Sequence, residues 1–161
     1  MRPVRVSATI DAPRERVFDY LSDLANHVEF SDHYLKDFRL ERLQSRGIGA
    51  SISFRVGRRS QWAEAVVTGL EPPHRLELSG QTGRLGRIKT SAVYTLTPHG
   101  HDMTRVEYVF STEPATRLDA LKESLGGRAW VKRQSRIALR RLATLLEEGR
   151  ASARPARAAA G

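Results

Sequence analysis

The chain has 161 residues, a formal net charge of +9 at pH 7 and no cysteine. This length is typical of a single domain with one hydrophobic core. The lack of cysteine excludes disulfides, zinc–cysteine sites, iron–sulfur clusters and thiol nucleophiles. The sequence has no secretory signal pattern, and no apolar run approaches the ~20 residues needed to cross a bilayer, so we expect a cytoplasmic protein without a membrane span.

Most of the excess positive charge is arginine. Part of it lies in residues 150–161, where Arg150, Arg154 and Arg157 stand among Ala, Ser and Pro without an acidic residue. We expect this segment to be a disordered tail that follows one domain over residues 1–149. The other basic residues are scattered along the sequence, and stacking aromatic residues do not interleave with them. A solvated arginine-rich surface is therefore predicted, and a nucleic-acid partner is not.

The first predicted elements are a strand and a helix. Residues 4–10 alternate between apolar and polar side chains, which is the period of a half-buried strand. Asp11 and Pro13 are typical of a helix start. Apolar residues then recur at helical spacing from Val17 to Leu24.

The rest of the chain predicts several strands and a long helix. In order, these are a short helix or loop over 25–34, strands over 35–43, 51–56, 61–70 and 74–78, a loop over 80–86, strands over 88–96 and 106–110, a helical stretch from 117 to 125, and a long helix over 129–148. The two closely linked strand pairs should be antiparallel hairpins. The predicted fold class is α+β, a curved antiparallel sheet wrapped around a long C-terminal helix, with two short helices after the first strand.

Four parts of the sequence resemble one superfamily in their order and spacing. They are residues 10–13 with 17–23, residues 68–76, residues 94–98 with 104–108, and residues 139–147. The chain resembles the START-like, helix-grip (birch-pollen-allergen-like) superfamily, and within it the bacterial polyketide cyclase/dehydrase and lipid-transport (SRPBCC) proteins. The resemblance implies a deep cavity between sheet and long helix that holds a lipid, polyketide or other apolar small molecule. It does not fix an activity, because most members bind and only some catalyse.

The candidate ligand-binding residues follow from strand alternation, from the long helix and from the expected cavity mouth. Tyr94, Tyr108 and Phe110 should face inward as an aromatic wall with two hydroxyl groups. A packed core whose hydroxyls reach backbone or water is the alternative. The face of Trp62 stays open, because the hairpin register decides it. The full set is Phe30, Tyr34, Phe54, Ile88, Thr90, Tyr94, Val106, Tyr108, Phe110, Trp130 and Gln134.

Two histidines and two carboxylates precede the strand predicted over residues 35–43. His27, Glu29, Asp32 and His33 would lie near the cavity mouth in the family architecture. A histidine–carboxylate pair there could act as a general base near neutral pH, and a solvated helix surface is the alternative. His33 is thus a candidate catalytic residue together with the two inward tyrosines.

No metal or cofactor is expected. His99 and His101 lie at a predicted hairpin tip beside a glycine, which does not suit the three or four converging ligands of zinc. Residues 80–86 contain three glycines but lack the ending of a phosphate-binding loop.

Three functions remain open from the sequence. The first is a non-catalytic protein that binds or carries an apolar small molecule. The second is a polyketide cyclase or aromatase that promotes enolisation and dehydration through Tyr94, Tyr108 and a histidine at the mouth. The third is a protein-interaction or stress-response module whose cavity is filled by its own side chains.

Overall fold

The computed structural model describes residues 2–57, 61–122 and 126–153. Within them a seven-stranded antiparallel sheet has the order β1-β7-β6-β5-β4-β3-β2. The strands are β1 (Val4–Ile10), β2 (Leu35–Leu40), β3 (Ser51–Val56), β4 (Gln61–Glu71), β5 (Arg75–Thr82), β6 (Ile88–Pro98) and β7 (Thr104–Glu113). The helices are α1 (Arg14–Ser22), α2 (His27–Ser31), α3 (Arg117–Lys122) and α4 (Arg128–Ala153), with 3₁₀ turns at Leu24–Asn26 and Arg84–Gly86.

The predicted α+β fold class is confirmed. Strand β1 forms one edge and pairs with β7, so that Val6 lies opposite Tyr108. The turn into α1 is fixed by the Thr104 hydroxyl, which donates a 2.7 Å hydrogen bond to the Ala12 carbonyl in a buried position. Pro13 takes the N-cap position of α1, one residue before its first turn. The local strand-to-helix pattern thus agrees with the tertiary structure.

Both predicted hairpins are present. In the first, Phe54 of β3 lies opposite Ala63 of β4. In the second, Tyr94 of β6 lies opposite Tyr108 of β7. Residues 25–34, predicted to form a short helix or a loop, contain the short helix α2.

Several boundaries differ from the prediction. Strand β5 continues to Thr82, so most of the predicted loop over 80–86 is strand or 3₁₀ turn. Helix α4 extends through residue 153, so the first four residues of the expected tail continue it, and residues 154–161 lie outside the described residues. The predicted helical stretch from 117 is α3, and residues 123–125 at its end lie outside the described residues too.

Helix α4 packs against β1 and the concave face of the sheet. Its buried positions recur every three or four residues, as expected for a helix with one face on a core. These are Ser135, Ala138, Leu139, Leu142 and Leu146.

Burial along the concave face is uneven. At one end, Leu76, Leu96 and Val106 are fully buried. At the other end the inward side chains of β3, β6 and β7 are only half-buried, including Phe54 and Phe110. We call this second region the open end; it comprises Phe54, Ile88, Thr90, Ala92 and Phe110.

Candidate functional site

Two sets of aromatic side chains lie between the core and the open end. The Tyr94 and Tyr108 rings lie 4.7 Å apart between centroids, and Tyr108 stacks on Phe110 at 6.5 Å. Tyr34, which follows α2, contacts Trp130 of α4 edge-on at 6.0 Å. Tyr94, Tyr108 and Phe110 thus form the wall predicted from strand alternation, and Tyr34 and Trp130 form a second aromatic contact, between the segment after α2 and α4.

The three tyrosine hydroxyls converge and stay protonated. Burial raises the pKa of Tyr34 to about 12. Burial, and then the nearby Tyr34 hydroxyl, raise the pKa of Tyr94, while burial, Tyr94 and Tyr34 raise the pKa of Tyr108 well above its usual value. Charge effects of this kind fall off with distance, so the three phenol groups lie in the same region of the interior. They act as hydrogen-bond donors at neutral pH and not as bases.

None of these three hydroxyls has a hydrogen-bond partner among the described residues. The hydroxyl oxygens are also not among the side-chain atoms of the described residues that are both fully inaccessible and without a hydrogen-bond partner. The hydroxyl oxygens of Tyr34, Tyr94 and Tyr108 therefore border space that a water-sized molecule can reach. Because buried phenols normally find a partner, these groups are available to bind something placed between them.

Trp130 lies at the rim of this region. Its side chain is 39% exposed. Gly57, directly after β3, has a positive φ of 58°, and a Cβ atom on it would make an ordinary van der Waals contact of 3.5 Å with the Trp130 ring. One turn further along α4, Gln134 is half-buried.

His33 ties the segment after α2 to α4. Its Nδ1 accepts a 3.2 Å hydrogen bond from Arg141 Nη1, and its Nε2 donates to the Gln134 carbonyl at 3.3 Å. Arg141 also pairs with Asp32 at 2.5 Å. Burial is the main cause that lowers the pKa of His33, and Arg141 and Lys36 lower it further against the raising effects of the Gln134 carbonyl and Asp32. Both ring nitrogens are thus engaged in joining two elements.

His27 contacts Tyr94, as His33 contacts Tyr34, whose ring centroid lies 4.7 Å from that of His33. It is almost fully buried, and its Nε2 donates a 2.7 Å hydrogen bond to the Leu21 carbonyl. Its ring meets Tyr94 edge-on at 6.1 Å and Phe30 at 5.1 Å. Burial lowers the pKa of His27, so the ring is neutral near pH 7.

The other predicted site residues fall into two groups. Phe30 and Val106 are 2% and 0% exposed, so they pack in the core. Phe54, Ile88 and Thr90 are half-buried at the open end. Phe38 of β2 was absent from the predicted set but contacts Phe54 at 5.5 Å, and the alternation of its strand could have identified it.

Trp62 lies on the outer face of the sheet. Its partner across the hairpin is Arg55, and the guanidinium groups of Arg39 and Arg55 lie 4.7 and 5.0 Å from its ring centroid. Outer-face residues also line two hollows of about 570 and 490 Å³, with polar groups such as Glu64 and Gln81 in both. The register thus separates Trp62 from the tyrosines.

This arrangement is of the helix-grip type, and solved structures share it. A protein from Nitrosospira multiformis is 20% identical with a TM-score of 0.68, and the match covers 92% of this chain and 99% of that one. A conserved protein from Geobacillus kaustophilus is 19% identical with a TM-score of 0.68 over 91% and 95% of the two chains. DynU16, described as a putative protein in the dynemicin biosynthetic locus, is 21% identical with a TM-score of 0.65 over 92% of this chain. The chain spans about half of DynU16, 48% of its length. At these identities the likeness concerns the fold.

The sequence itself identifies the family. Residues 1–147 match the model of the polyketide cyclase/dehydrase and lipid-transport family, and the chain belongs to that family. No curated protein matches the chain. Among the described residues, no helix is long and apolar enough to cross a membrane.

Proposed function

We propose that the protein binds and carries an uncharged apolar small molecule between the concave face of the sheet and α4. The observation that supports this best is the group of three protonated hydroxyls of Tyr34, Tyr94 and Tyr108, which have no hydrogen-bond partner in the described part of the chain and are set among apolar and aromatic side chains. Ligand sites commonly combine such apolar walls with a few convergent polar groups.

The hydroxyls also indicate what the ligand carries. A phenol that keeps its proton donates to a carbonyl, ether or hydroxyl oxygen, and a neutral ligand avoids the cost of burying a charge. The proposed class is therefore an apolar molecule with one or more oxygen acceptors, such as a polyketide or a lipid with an ester or ketone group. Membership of the family agrees with this class.

The direct test is native mass spectrometry of freshly purified protein, followed by identification of any bound molecule. A second test uses the neutral fluorescent probe N-phenyl-1-naphthylamine. Ala92 lies on the concave face between Leu78 and Phe110, so Ala92→Phe would fill the proposed space. We expect probe affinity to fall by about tenfold or more, because the ligand must displace a well-packed ring.

Ser91→Phe is the matched control, since Ser91 is the next residue of β6 and is exposed on the outer face. It should bind the probe as the wild type does. Equal probe affinity in the Ala92 and Ser91 variants would overturn the proposed location. A protein that neither carries a molecule nor binds the probe would instead support the module with a filled cavity.

An enzymatic role is the second candidate, and the His27–Tyr94 contact favours it. A neutral imidazole beside a protonated phenol could move a proton to or from a bound β-ketone, which is what enolisation and dehydration require. His27→Gln and Tyr94→Phe should then slow turnover of a poly-β-ketone substrate while the probe still binds. If turnover is unchanged in both variants while probe binding is retained, these two residues have no catalytic role.

A further inference from the structure

The outer face of α4 carries a row of exposed arginines. Between Arg128 and Leu146 the sequence contains six basic residues and no acidic residue. Spacings of three and four residues place Arg133, Arg136 and Arg140 on one side of the helix. All three are exposed, and within the described residues none of them forms an ion pair. We call these three residues the basic ridge.

Contacts among the described residues do not explain the basic ridge. Arg141, the next residue after Arg140, faces α2 and pairs with Asp32. By contrast, like charges three and four residues apart repel each other and lower helix stability by small amounts. A row of this kind therefore suits an anionic partner outside the protein.

An exposed indole lies next to the basic ridge. Trp130 stands three residues before Arg133 and is 39% exposed, and it is also the residue that contacts Tyr34 at the rim of the tyrosine group. Tryptophan side chains prefer the interface between lipid headgroups and acyl chains. The indole therefore lies near Arg133, at the end of the basic ridge that is next to the proposed ligand space.

We propose that the basic ridge and Trp130 dock the protein on the surface of an anionic phospholipid membrane. Charge complementarity supplies the attraction, since each Lys or Arg near such a surface contributes favourably and the contribution is screened by salt. A single tryptophan beside the row fits a lipid interface better than single-stranded nucleic acid, which requires several aromatic side chains interleaved with the cations. Docking would bring the rim of the ligand space against the bilayer.

The first test is flotation with vesicles. The full chain should bind phosphatidylcholine vesicles that contain about 30 mol% phosphatidylglycerol, fail to bind pure phosphatidylcholine, and be released in about 0.5 M NaCl. Combining Arg133→Gln, Arg136→Gln and Arg140→Gln should lower the partition coefficient by about tenfold or more. The control combines Arg42→Gln, Lys89→Gln and Arg105→Gln, three exposed positions away from α4 with the same change in charge. The control should stay within about twofold of the wild type.

The second test measures whether the Trp130 indole enters the bilayer. The chain has two tryptophans, so Trp62→Phe leaves Trp130 as the only one. Vesicles with brominated acyl chains should quench this variant. They should not quench Trp130→Phe, which keeps only Trp62 on the outer face of the sheet.

Three outcomes would overturn the docking proposal. They are equal loss of vesicle binding in the two triple variants, absence of quenching of Trp130, and ridge-dependent binding of duplex DNA or RNA without binding to vesicles. Probe binding in vesicle-free buffer is measured separately, so failure of membrane docking leaves the proposed ligand binding standing, and the reverse also holds.

Discussion

Deleting one tyrosine hydroxyl tests the central feature of the site. Tyr108 lies opposite Tyr94 in the sheet, and its hydroxyl has no hydrogen-bond partner among the described residues. An unsatisfied buried hydroxyl costs roughly 1–3 kcal/mol, and the cost lies at the low end here because the oxygen borders accessible space. We therefore expect Tyr108→Phe to raise the free energy of unfolding of the ligand-free protein by up to about 1 kcal/mol.

Tyr20 provides the matched control. Its hydroxyl donates a 2.6 Å hydrogen bond to Glu29 Oε2, so Tyr20→Phe should lower the free energy of unfolding by about 1 kcal/mol. The two variants remove the same atom from the same residue type, and their opposite signs report whether that atom has a partner. For a chain of this size the difference corresponds to roughly 4–8 °C in Tm.

The assay is urea unfolding of ligand-free protein, paired with displacement of bound N-phenyl-1-naphthylamine by a ligand that carries an oxygen acceptor, such as a fatty acid methyl ester. With an oxygen-bearing ligand, Tyr108→Phe should weaken binding by about three- to tenfold, because one hydrogen bond to the ligand is lost. Tyr20→Phe should leave binding unchanged. If Tyr108→Phe destabilises the ligand-free protein as much as Tyr20→Phe does, the hydroxyl has a partner inside the protein and the reasoning is refuted.

Three further predictions concern stability. Folding lowers the pKa of His33 below 6.5, so the unfolded chain binds more protons than the folded one, and the free energy of unfolding should fall as the pH drops below about 6.5. In urea unfolding at several pH values, His33→Gln should show a shallower fall, and a fall as steep as that of the wild type would contradict this. Leu142→Ala removes a fully buried side chain and should cost about 2–5 kcal/mol by urea unfolding, whereas a cost under about 1 kcal/mol would contradict its packing between α4 and the sheet. Thr104→Val leaves the Ala12 carbonyl without its donor and should lower Tm by roughly 2–6 °C by calorimetry, while an unchanged Tm would mean that another donor replaces it.

Much of the fold follows from local patterns. Alternation over β6 and β7 predicted both the hairpin and the inward direction of Tyr94 and Tyr108. Helical spacing predicted α4. Strand β5 was predicted too short because Gly80 reads as a loop residue, yet a Cβ atom there would lie 1.9 Å from the Glu64 carbonyl oxygen of β4. The glycine permits close approach of two strands, and only the assembled sheet reveals that need.

Sequence alone determined the family, the faces of most strands and the aromatic character of the interior, because each depends on residue type and short-range period. The tertiary structure decided which groups meet. Tyr34 lies near two tyrosines that are far away in sequence. The His33 ring is hydrogen-bonded to Arg141, which lies 108 residues further along the chain, and the β3–β4 register places Trp62 on the outer face. Such contacts depend on strand register and on the placement of α4 against the sheet. Both are set by packing over long sequence separations, which local periodicity does not encode.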